Sequence, residues 1–142
     1  MKKSNIFILI ITTLFISCTT PKQENIDFSS IQIDGVSLNK NKHWKANIET
    51  TKGVQKMLNS MHTFSKTEDV KAYHQLKKQL ETQFTDIFTN CTMKGEAHNQ
   101  LHNYLKPMIG YFEGLEAKNL KTCKENFKAL HTHLQGYANY FE

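Results

Sequence analysis

Leu120-Lys-Thr-Cys123-Lys-Glu-Asn-Phe127-Lys-Ala-Leu130-His-Thr-His-Leu134-Gln-Gly-Tyr137-Ala-Asn-Tyr-Phe141 decides the fold. Its apolar residues recur every three or four positions without a miss, which is one face of an amphipathic helix. A face this regular over six turns needs other helices to cover it, so the expectation is an all-α protein.

Upstream, the same period returns three times. Val70, Tyr73, Leu76, Leu80, Phe84, Ile87, Phe88 and Cys91 form a stripe that predicts a helix over 67–91, with Thr67 as its N-cap. Ala97, Leu101, Tyr104, Leu105, Met108, Phe112 and Leu115 predict one over 94–115, kinked at Pro107. Trp44, Ile48, Thr51, Leu58 and Met61 predict a first helix over 44–64, weakened by Gly53 by about 1 kcal/mol relative to alanine. The fourth helix should run from 117 to 142. Short links between helices of matched length force antiparallel neighbours. The expected architecture is an up-down-up-down four-helix bundle over residues 44–142.

The N-terminus reads differently. Met1 to Asn5 is short and basic, Ile6 to Ile16 is apolar except for Thr12 and Thr13, and Ser17 precedes Cys18. These are the parts of a secretory signal. The apolar run is shorter than the roughly 20 residues a membrane-spanning helix needs. Leu14-Phe15-Ile16-Ser17-Cys18 resembles the lipobox of bacterial lipoproteins. That resemblance implies cleavage after residue 17, acylation of Cys18 (palmitate among the chains) and anchorage in the cell envelope facing the periplasm. Each buried CH₂ contributes about 0.8 kcal/mol to such an anchor. An ordinary cleaved signal with a spare thiol is the alternative. Residues 18–43 then read as a tether, with Ile26 to Leu38 as a short extended piece packed on the domain.

Composition narrows the function. The chain carries a formal charge of +5, which falls to +3 without Lys2 and Lys3, and all 18 basic residues are lysine. Without arginine, the usual reader of phosphates and base edges, sequence-specific nucleic-acid binding is not expected. With Cys18 lipidated, Cys91 and Cys123 remain; the helix reading puts them near opposite ends of the bundle, too far apart for a disulfide.

Two further resemblances concern the helices. Trp44-Lys-Ala-Asn-Ile48-Glu49-Thr50, Ala129-Leu130 and Tyr137-Ala138-Asn139-Tyr140 are similar to the first and last helices of the soluble periplasmic cytochrome b bundle. The resemblance implies the same architecture. It does not imply haem, because the family's haem-ligating Met and His positions fall at Ile48 and Ala138. Cys91-Thr92-Met93-Lys94-Gly95-Glu96-Ala97-His98, with Leu101 and His102, resembles the hallmark segment of small exported bacterial proteins, some associated with heavy-metal or copper handling.

The same segment is the candidate functional site on chemical grounds. A thiol, a thioether and two imidazoles within twelve residues favour Cu(I) or Zn(II) over Mg or Ca. His98 and His102 are one helical turn apart and project from one side, about 70° and 110° from the centre of the buried stripe. Cys91, Met93, His98 and His102 are therefore the expected metal ligands, with Met108, His131 and His133 as further candidates from the same end of the bundle. Glu96 points about 120° away from His102 and better serves as charge at the helix N-terminus. A plainer reading is equally open: Cys91 buried in its stripe, Thr92 capping the third helix, Gly95 allowing close helix approach and Met93 filling a gap.

A non-catalytic interaction lipoprotein without a metal site, binding a periplasmic protein partner through Trp44, Tyr111, Tyr140 and Phe141, is the alternative function. No nucleophile motif, paired carboxylates or phosphate-cradling loop points to an enzyme.

Overall fold

The computed structural model describes residues 27–142; the expected signal, Cys18 and the first part of the tether lie outside them. Five helices follow in order: α1 (Ile48–His62), α2 (Val70–Asn90), α3 (Gly95–Leu105), α4 (Met108–Leu115) and α5 (Leu120–Gln135). They make four rods, because α3 and α4 are one expected helix broken at Lys106-Pro107. Proline removes a backbone donor and crowds the preceding turn, and here the break is complete where a kink was expected. α1 packs on α2, α2 on α4, α4 on α5, and α5 on α1, which closes the four-helix bundle. No strand or sheet occurs among the described residues.

The stripes read from sequence supply most of the core from α2 onward, although Phe88 is exposed. α1 instead buries Thr50, Val54, Met57, Ser60 and Met61, leaving Ile48 60% exposed, because its start turns away to pair with the C-terminal residues. Leu80, Leu101, Leu105, Leu115, Cys123, Leu130 and Leu134 are fully buried, and Tyr73, Tyr104, Met57 and Met108 fill the space between rods. Burying each such aliphatic side chain stabilises the fold by about 1.5–3 kcal/mol relative to leaving it exposed. Gly53 is not merely a weak point of α1. A Cβ there would collide with the Ile87 side chain, so glycine lets α1 and α2 approach closely.

Several helix boundaries differ from the periodicity, each for a local reason. α1 begins at Ile48 and not at Trp44, because the backbone of 44–46 pairs with the C-terminus. Trp44 N–H donates to the Tyr140 carbonyl (2.7 Å), Glu142 N–H to the Trp44 carbonyl (2.9 Å), and Ala46 N–H to the Glu142 carbonyl (2.9 Å). α2 is capped by Asp69, not Thr67: its carboxylate accepts from the Lys71 N–H at 2.9 Å. α5 starts at Leu120 under the Asn119 cap and gives way to a 3₁₀ turn, Gly136–Asn139.

Residues 27–47 run along the bundle as a strap. Ile33 is buried and its N–H donates to the Tyr140 hydroxyl at 2.9 Å. Asn139 donates to the carbonyls of Phe28 and Ile31, Asn103 to that of Gly35, and the Ser37 N–H donates to the Gln100 side chain at 2.8 Å. The extended piece expected to pack on the domain is this strap, tied to α3 and to the turn that follows α5.

Candidate metal centre

The α2–α3 junction is built from its ends inward. α2 stops at Asn90, whose carbonyl accepts from the Asn47 side chain at 3.0 Å, so the start of α1 fixes the end of α2. Cys91 follows in an extended conformation, and residues 91–94 form the link. Lys94 occupies the N-cap position of α3, not Thr92. Gly95 has a φ of +63° with open space where a Cβ would stand. Its role is the left-handed backbone turn that launches α3, not close helix approach.

Glu96 is exposed in the first turn of α3, where it accepts hydrogen bonds from Gln100 (2.7 Å) and Asn99 (3.1 Å). Those two bonds hold its carboxyl below the usual range. Through Gln100 the strap and the first two turns of α3 are locked together.

That framework brings three of the expected donors into a chain of contacts. Cys91 Sγ lies 3.6 Å from His98 Nδ1, and His98 Nε2 lies 3.0 Å from His102 Nε2. Cys91 and His98 are half-buried, His102 is exposed, and the His102 ring meets Phe88 edge-on at a centroid distance of 5.4 Å. Met93 is partly buried against the core edge. No group of three or more His, Cys, Asp or Glu side chains among the described residues is arranged to hold one ion. His98 presents its two ring nitrogens to two different partners, Cys91 and His102.

The further candidates do not join this cluster. Met108 is a core residue of α4. His133 is only 5% exposed; its Nε2–H donates to the Tyr104 carbonyl at 2.7 Å and its ring stacks on Tyr104. Burial pushes its pKa down, with the hydrogen bond opposing. His131 faces α1, where it meets the ring of His62 at 4.9 Å and stacks on Phe127. Burial first, and the charge of His62 second, push its pKa down. Two residues apart on a helix, His131 and His133 diverge by about 160° and so enter different interfaces.

One neighbour was not legible beforehand. Tyr137 is buried and shares a 3.0 Å hydrogen bond with the Thr51 hydroxyl; burial raises its pKa, the Thr51 bond opposes this, and the Cys91 sulfur adds a smaller rise. Its spacing marked it only as core. Among the described residues, Cys91 and Cys123 are free thiols. Cys123 is fully buried with its S–H directed at the carbonyls of Leu115 and Ala117, and burial raises its pKa. Among the interaction candidates, Tyr140 and Phe141 are buried, and Trp44 and Tyr111 half-buried.

No protein-family model, curated protein or solved structure matches this chain.

Proposed function

We propose that this chain is a lipid-anchored cell-envelope protein, held to a bacterial membrane through Cys18 and facing the periplasm, that binds a soft transition metal ion, Cu(I) or Zn(II), for metal handling or buffering. The ion sits at the α2–α3 junction on Cys91 and His98, with His102 and Met93 completing the surroundings. The observation that carries this reading is the 3.6 Å approach of Cys91 Sγ to His98 Nδ1 with His102 one contact further on. A thiolate beside imidazole is a donor set for these ions. The resemblance of the Cys91–His102 segment to exported proteins of heavy-metal handling points the same way.

The principal cavities among the described residues are lined elsewhere, without Cys91, His98 or His102. The lack of three convergent donors weighs against a closed structural zinc site, which takes four ligands.

The test is competitive titration of the full chain, carrying Cys18→Ser, against chromophoric chelators for Cu(I) and Zn(II). One equivalent of metal should bind, and Cys91→Ser combined with His98→Ala should abolish it. Unchanged affinity in the double variant removes the site. No binding by the parent leaves a non-catalytic interaction lipoprotein.

A further inference from the structure

The two ring nitrogens of His98 have different partners. An imidazole offers its two nitrogens in divergent directions, so one ion coordinates only one of them. In His98 the Nδ1 edge faces Cys91 Sγ at 3.6 Å and the Nε2 edge faces His102 Nε2 at 3.0 Å. With metal–sulfur and metal–nitrogen bonds of about 2.3 and 2.0 Å, the first gap, itself of thiol–imidazole hydrogen-bond length, subtends about 110° at an ion, an angle compatible with three- or four-coordination. The second gap subtends only about 95°, and its length is that of an ordinary N–H···N hydrogen bond.

Resting on the metal-binding reading above, we infer that the site is selective for Cu(I) over Zn(II), with Cys91 Sγ and His98 Nδ1 as ligands and His102 as a positioning residue that accepts the His98 Nε2–H. Coordination through Nδ1 requires the proton to stay on Nε2, and His102 Nε2 stands where that proton must be accepted. Such a partner fixes the tautomer and the ring orientation of a ligating histidine. The protein thus offers one ion a thiolate and a single imidazole, with the thioether of Met93, two residues past Cys91, as the next soft donor in the chain. Cu(I) is satisfied by two or three such donors, and its single charge is neutralised by one thiolate. Zn(II) requires three or four protein ligands and keeps a net positive charge beside a half-buried sulfur. His102 is exposed, so its substitution leaves the core intact.

Full-length protein carrying Cys18→Ser, purified in detergent and loaded with Cu(I) under reducing conditions, tests the assignment. X-ray absorption should find one imidazole nitrogen with sulfur in the copper shell, and nitrogen-15 spectra should place the metal on His98 Nδ1 with Nε2 protonated. Competition titration should show His102→Ala weakening Cu(I) about 10–100-fold, the range for loss of such a partner. His102→Gln, which can still accept the hydrogen bond, should restore most of that loss, and Zn(II) should bind at least 100-fold more weakly than Cu(I). Two imidazoles in the shell, metal on His98 Nε2, no effect of His102→Ala, or Zn(II) bound as tightly as Cu(I) would each overturn the assignment while leaving a metal site. No metal bound by the parent protein overturns the metal-binding reading itself.

Discussion

Replacing Tyr140 by phenylalanine tests how the strap is held over the bundle. The ring stays packed, and only the hydroxyl that accepts from the Ile33 N–H at 2.9 Å is lost. Ile33 is 7% exposed, and this N–H has no other partner among the described residues. An orphaned buried donor costs about 1–3 kcal/mol, against the near-neutral loss of an exposed bond. The Tyr140→Phe chain should therefore lose about 2 kcal/mol, or about 5–12 °C in Tm for a domain of this size. Urea unfolding followed by circular dichroism gives the free energy, and the m-value should not change, because the surface exposed on unfolding is the same. Amide hydrogen exchange at Ile33 should accelerate in parallel. Tyr111→Phe is the control: its hydroxyl makes no hydrogen bond among the described residues, and its effect should stay within about 0.5 kcal/mol. A loss below about 0.5 kcal/mol in Tyr140→Phe, with Ile33 exchange unaltered, would refute the strap as a buried, hydrogen-bonded element.

Two other expectations follow from the geometry. Burial depresses the pKa values of His131 and His133 in the folded chain, so below about pH 6.5 the unfolded state binds more protons than the folded state. Their contribution is fully present above that pH and is lost as pH falls through 6.5 toward the folded values. Urea titrations at pH 7.5 and 5.5 should show this loss, and His133→Gln should reduce it; equal stability of the parent at both pH values would contradict the burial argument. Gly95→Ala forces a side chain into φ of +63°, which costs about 1–2 kcal/mol. Because that turn aims α3 at Cys91, metal affinity should fall with stability, whereas stability alone would fall if the turn did not position His98.

The parts of this fold that were legible are those governed by local periodicity. The α5 face, from Cys123 through Leu130 and Leu134 to Tyr137, is buried as its spacing requires. The start of α1 was misread because Trp44 and Ala46 pair with Tyr140 and Glu142, nearly a hundred positions away, and nothing local signals that pairing. The closeness of Cys91 to His98 was legible for a similar local reason: a helix that ends at Asn90 and another that begins at Gly95 leave little room for divergence. Height along the bundle, however, says nothing of which interface a flank enters. His131 and His133 were grouped with His102 by level, yet one belongs to His62 and the other to Tyr104. The division of the His98 nitrogens between two partners depends on side-chain rotamers, which spacing does not encode.

The central claim, that one soft ion is held between the end of α2 and the start of α3, is tested most directly by anomalous diffraction at the copper edge from crystals of the Cu(I)-loaded chain. The account predicts a single strong peak within bonding distance of Cys91 Sγ and His98 Nδ1. A peak elsewhere, such as between His62 and His131, or none at all in copper-saturated crystals, would contradict it.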